Sequence, residues 1–195
     1  MNFLVHLFVS QHDEYLQIGN WMGDLIKNRH IPELPPGIQK GIMLHRAIDD
    51  FSDQHRSIKR GIRTIRSYQY KYSPVVLDIF YDYLLFQNWE EYTTIRFKHF
   101  TNNFYDRLMR WSPVYPIHVQ KRAVSMAKHK FLEAYISKEG LKDVFRRVGE
   151  RAKFDNRMNH AVDDLLALQQ ELDDDFREFF PDLLEFSRSY SKKLL

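Results

Sequence analysis

Within apolar stretches of the chain stand carboxylates, imidazoles and amides that recur four residues apart. Asn2 and His6 interrupt a run of Phe, Leu and Val. Asn20 and Asp24 sit in Ile18-Gly19-Asn20-Trp21-Met22-Gly23-Asp24-Leu25-Ile26. His45, Asp49 and Asp53 follow one another by fours, and Asp78 and Asp82 do the same inside Val75 to Leu85. A spacing of four returns to the same face of a helix. A carboxylate buried there alone costs on the order of several kcal/mol, so polar pairs on four segments are best explained by convergence on a compensating charge. A divalent cation is the natural one, because helical bundles hold metals with His and carboxylates projecting from facing helices. His and Asp donors without Cys suit Mn, Fe, Mg or Zn. Arg46, beside His45, adds a guanidinium able to clamp a phosphate oxygen. A Lewis-acid centre next to an arginine is equipped for phosphoryl hydrolysis. No glycine-rich phosphate loop, GxSxG elbow or HExxH motif offers a different chemistry.

Each residue alone also has an ordinary account. His6 reads as a satisfied core histidine, Asp53 as a capping or surface residue, Asp82 as a buttress through hydrogen bonds, and Arg46 as the partner of Asp50. His12, His30, His55, His99, His118, His129 and His160 stand in mixed polar surroundings and read as surface residues. Only the pairs taken together, on four segments, call for convergence on one site.

The elements that must position these groups are helices. Apolar residues recur at threes and fours throughout, and no segment alternates as a strand does. The pattern predicts an all-α fold, one domain over residues 1–195, with helices at 2–11, 14–28, 36–53, 56–70, 74–88, 91–110, 115–136, 138–152, 157–172 and 174–190. Pro36 and Pro74 fit first helical turns, and Pro181 is expected to kink or divide the last helix. The 195 residues include 7 Gly, 7 Pro and 15% aromatics, a composition for a bulky helical core rather than a loop-rich sandwich. Cysteine is absent, which excludes disulfides, thiolate metal sites and a Cys nucleophile. The start lacks the basic flank of a signal peptide and no stretch is apolar enough for a membrane span, so the sequence reads as cytoplasmic. Net charge is +3 but unevenly spread. Residues 54–77 hold no acid and carry Arg56, Lys59, Arg60, Arg63, Arg66 and Lys71. Residues 107–132 are likewise acid-free and basic, whereas nine acids lie between Asp163 and Glu185. Such asymmetry reads either as a basic side that attracts an acidic partner or as solvated helix faces.

The segments Asn2 to Leu7, Gly19-Asn20 with Asp24, Gly41-Ile42 with His45-Arg46-Ala47-Ile48-Asp49 and Asp53, and Leu77-Asp78 with Asp82 and Leu84 resemble, in order and spacing, the acyl carrier protein phosphodiesterase family. The resemblance extends over nearly the whole chain. It implies hydrolysis of the phosphodiester that joins 4'-phosphopantetheine to a serine of holo-acyl carrier protein, and an HD-like helical bundle related to the HD phosphohydrolases. By that analogy His6, Asp24, His45 and Asp78 are the expected metal ligands, with Mn2+ preferred over Mg2+, Fe2+ or Zn2+. Asp49 and Asp82 are the expected further ligands, supports hydrogen-bonded behind the ligands or water-orienting bases, Arg46 the phosphate contact, and Asn2 and Asn20 further hydrogen-bonding residues toward the substrate phosphate. The chain lacks the adjacent His-Asp pair that names the wider superfamily, and it has Tyr83 where the family favours histidine. An acidic carrier protein also gives the basic runs a use, with Arg56, Lys59, Arg60, Arg63 and Arg66 as the expected docking face. Two rival readings are an HD-like nucleotide phosphohydrolase and a non-enzymatic helical adaptor whose basic face binds an acidic partner; nucleic acid is not favoured.

Overall fold

One helix is apolar on almost every face, Ser73–Gln87, whose buried residues include Ser73 and most positions from Val76 to Leu85. A helix of that composition is driven into the interior, and it packs against the helices at Phe3–Val9, Arg56–Gln69 and Gln169–Leu194. In a computed structural model that describes residues 3–194, the helices are α1 (Phe3–Val9), α2 (Glu14–Met22), α3 (Pro36–Gln54), α4 (Arg56–Gln69), α5 (Ser73–Gln87), α6 (Trp89–Tyr92), α7 (Phe97–Arg110), α8 (Ile117–Lys128), α9 (Lys138–Gly149), α10 (Ala161–Ala167) and α11 (Gln169–Leu194). Short 3-10 turns join several of them, and no strand occurs among the described residues. Buried side chains from all of these helices merge into one hydrophobic core, and among the described residues no helix is long and apolar enough to cross a membrane.

Local chemistry sets the boundaries that matter for the site. Asp13 caps α2 by accepting from the Leu16 amide at 2.8 Å. Pro36 opens α3, as its fixed φ allows. These two helices cross with their backbones close together. A Cβ on Gly19 would stand 2.1 Å from the Ile38 carbonyl oxygen, and one on Gly41 would stand 2.5 Å from that of Leu16. Only glycine lets the two backbones approach so closely.

The structure also corrects several expected boundaries. The helix expected over 14–28 ends at Met22, where the chain turns through Gly23 and Asp24. That expected over 91–110 is interrupted at Thr93, whose backbone is extended, and resumes at Phe97. The one over 115–136 breaks at Lys130, a non-glycine residue with φ of 45°, and continues as a 3-10 turn over Phe131–Ile136. The one over 157–172 stops at Ala167, and the last helix starts earlier and ends later than expected. Pro181 lies inside an unbroken α11. Proline costs a helix one hydrogen bond; here the flanking Phe179, Phe180 and Leu183 are fully buried, and their packing offsets that loss.

Candidate metal centre

Three helices bring the centre together. α1 supplies His6, α2 supplies Asn20, and α3 supplies His45 and Asp49 one turn apart. Both imidazoles are buried, and their rings stack with centroids 4.1 Å apart. His6 Nε2 lies 3.2 Å from Asp49 Oδ1, and His45 Nε2 lies 3.2 Å from both Asp49 Oδ2 and Asp24 Oδ1. Ligand atoms of His6, His45 and Asp49 all fall within 4.8 Å of one another.

Asn20 fixes which nitrogens face inward. Its amide Nδ2 donates to the His6 carbonyl oxygen at 2.9 Å, so its Oδ1 must be the acceptor facing His6 Nδ1 at 2.7 Å. His45 Nδ1 likewise meets a pure acceptor, the backbone oxygen of Asn20, at 2.8 Å. Both Nδ1 atoms are therefore protonated, and both Nε2 atoms turn toward the carboxylates. A lone pair facing a carboxylate needs a cation between them. Neither Nε2 completes a well-directed hydrogen bond, which is the arrangement a metal ion or an extra proton satisfies. The donor set of two imidazoles and a carboxylate fits a divalent transition metal. The partner atoms behind each Nδ1 orient the rings as ligating histidines require.

Electrostatics agrees with a cation site. Burial, helped by the charge of His45, pulls His6 down to about 4. Burial also works against a charged His45, yet Asp24 and Asp49 outweigh it and hold that imidazole up at about 9. Asp49 is opposed by burial too, but His45 and His6 keep it far below the usual carboxylate range. His45 likewise lowers Asp24.

A cavity of about 540 Å³ opens beside the centre. Asp24, whose side chain is 71% exposed, belongs to both the cavity wall and the His45 contact. Asp78 of α5 lines the same cavity, and its carboxyl is pushed up to about 6 by burial and by the charges of Asp49 and Asp53. Asp49 thus stands between the two imidazoles, while Asp78 stands on the neighbouring wall. Asp82 is fully buried and accepts from the amides of Leu4 and Val5 at 2.9 and 3.0 Å. It caps the start of α1 and so holds the helix that carries His6. Arg46 is exposed and donates to Asn28 Oδ1 in the 3-10 turn before α3. Asp53 is exposed near the end of α3, and Asn2 lies outside the described residues.

Of the expected docking residues, Arg56 and Arg60 pair with Glu178, and Arg60 also with Asp175, all on α11. Lys59, Arg63 and Arg66 are exposed. Three positions escaped the sequence reading. Ser10 accepts from Asn20 Nδ2 at 3.2 Å and steadies it. Gly23 leaves room for the His45 ring, which a Cβ there would meet at 2.2 Å. Arg147 lines the cavity. The glycines flanking Asn20 were a visible signal, whereas nothing local marks Arg147 off from its neighbour Arg146.

A sequence model described as acyl carrier protein phosphodiesterase matches residues 1–183. The acyl carrier protein phosphodiesterase of Yersinia pestis is 26% identical over 189 residues, covering 94% of this chain and 96% of the relative. That of Escherichia coli O6:K15:H31 is 23% identical over 186 residues, covering 95% and 96%. The Serratia proteamaculans enzyme of the same name is 22% identical over 187 residues, with 95% and 96% covered. No solved structure matches the chain. The matched span takes in His6, Asn20, Asp24, His45, Asp49 and the α5 carboxylates together, and so the chain belongs to the acyl carrier protein phosphodiesterase family.

Proposed function

We propose that the protein hydrolyses the phosphodiester between 4'-phosphopantetheine and the serine of holo-acyl carrier protein, using a divalent cation, Mn2+ by preference, held by His6, His45 and Asp49. The observation that carries this reading is the pair of buried imidazoles whose Nε2 atoms face Asp49 beside an open cavity. A divalent cation there supplies a Lewis acid for the phosphoryl group and acidifies water. The chain's own residues do the rest. Asn20 locks both imidazole tautomers, and Asp24 holds the exposed edge of His45. Hydrolysis adds a water oxygen to phosphorus and breaks the bond to the serine oxygen, which leaves with a proton. Asp78, a cavity-wall carboxyl held near 6, is suited to carry that proton. The phosphate stays with the pantetheine arm and apo-carrier protein is released.

The test is to incubate the purified protein with holo-acyl carrier protein and Mn2+, with and without chelator, and follow the carrier mass. Chelator-sensitive loss of the phosphopantetheine mass, at about 1 per second or faster, is the expected result. No loss across several carriers and metals would refute the reading and move the substrate to a nucleotide or another phosphodiester.

A further inference from the structure

The cavity beside the metal-site residues carries acids on one wall and arginines on another, and the single acid among those arginines, Glu150, is held by Arg146 at 2.8 Å. Asp24 and Asp78 come from the turn after α2 and from α5, whereas Arg122 comes from α8, Arg147 from α9 and Arg151 from just beyond it. These arginines are exposed, and among the described residues none has a carboxylate partner. Arg151 only donates its Nε to the Arg147 carbonyl oxygen at 2.9 Å.

The contrast with neighbouring arginines is informative. Arg146, next in sequence to Arg147, is held by Asp143 at 3.3 Å and by Glu150 at 2.8 Å. Arg60 is held by two acids of α11. Arg46 does not line the cavity. An unneutralised guanidinium group on a concave wall is an anion subsite in waiting, since a planar fork matches phosphate oxygens with two bonds at once. Apolar Ile79, Phe131 and Val144 are among the other lining residues, and the volume lies in the range of a small-molecule pocket.

We infer that Arg122 and Arg147 bind the phosphate of the substrate and of the released phosphorylated arm, with the arm lying in this cavity, and that they do so in place of Arg46. The inference rests on the proposed hydrolase reading for the identity of the arm. The subsite itself is an anion site for a phosphate ester with a narrow, mixed polar and apolar tail.

The experiment measures binding of 4'-phosphopantetheine and of pantetheine to the purified protein by calorimetry with chelator present, so that metal plays no part. Arg122→Gln, Arg147→Gln, Arg147→Lys and the paired control Arg146→Gln are compared with the parent, each after its Tm is checked. The expected result is ~10-fold or greater weakening for the phosphorylated ligand in Arg122→Gln and Arg147→Gln, partial recovery in Arg147→Lys, and no change in Arg146→Gln. Pantetheine should bind weakly and equally to all. Equal affinity across the variants overturns the inference, and so does an equal loss for pantetheine. A rise in KM for holo-carrier protein without any change in 4'-phosphopantetheine affinity also overturns it, because the arginines would then grip acids of the carrier. Turnover of holo-carrier, assayed in parallel, separates the outcomes. An active enzyme with unaffected ligand binding refutes only the subsite, and arginine-dependent binding without hydrolysis refutes only the reaction.

Discussion

At the scale of residues, the candidate centre holds a proton that a bound metal ion would have to displace. His6 sits at about 4 and is neutral across the ordinary range, while His45 sits at about 9 because Asp24 and Asp49 outweigh its burial. Below pH 9 one proton therefore bridges His45 and its carboxylates, and a cation binding at Nε2 has to displace it. The affinity for Mn2+ is expected to rise about tenfold per pH unit between roughly pH 5 and 8 and to flatten above the His45 value, with about one proton released per ion. Titrations in buffers of different ionisation enthalpy measure that release; a flat affinity over this range would remove His45 from the ligand set. For folding the sign is the reverse. A histidine raised above its unfolded value of 6.5 stabilises the metal-free protein below that value, and the contribution is lost as pH rises through about 9. Most of this chemistry was legible as residues four apart, because α3 itself places His45 and Asp49 on one face. The pairing of His6 with His45 was not legible, nor was Asn20's grip on both, since these contacts link positions 14 to 39 residues apart through helix packing.

At the scale of elements, α1 is seven residues long, too short to persist alone, yet it carries a ligating candidate. Asp82 supplies what the helix lacks. From α5 it takes the amides of Leu4 and Val5, two donors that a helix start leaves without partners. The role is one of positioning, and it makes a specific forecast. Asp82→Ala should destabilise the protein by roughly 2–4 kcal/mol, the cost of two buried amides losing their acceptor, and should speed hydrogen exchange at Leu4 and Val5. Denaturant unfolding and amide exchange check this; an inactive variant of unchanged stability would instead place Asp82 in the chemistry. The sequence pattern located most helices because their apolar stripes are local. It missed the breaks at Gly23, Thr93 and Lys130, where tertiary contacts rather than periodicity decide whether the chain turns.

At the scale of the whole molecule, charge that looks segregated along the chain is partly neutralised in space. The basic α4 packs against the acidic α11, where Arg60 meets Asp175 and Glu178, and Arg56 meets Glu178. Linear charge runs could not reveal this, because the paired residues are more than a hundred positions apart. Asp175 is buried, with Oδ2 lacking any hydrogen bond, so Arg60 is its chief compensation. Removing one partner of such a pair strands the other charge. Arg60→Gln is accordingly expected to lower Tm at pH 7, while Arg63→Gln, on the exposed side of the same helix, should leave it unchanged. The deficit should shrink on acidification. Burial already raises Asp175 above its ordinary value despite the nearby guanidinium, and without Arg60 the carboxyl would protonate at still higher pH and cease to be a stranded charge. Thermal melts of both variants at pH 7 and pH 4, with KM for holo-carrier protein measured alongside, decide between two roles for this face. A Tm loss confined to Arg60→Gln and relieved by acid makes Arg60 a brace between α4 and α11. A raised KM with unaltered melting in both variants would make α4 a docking surface.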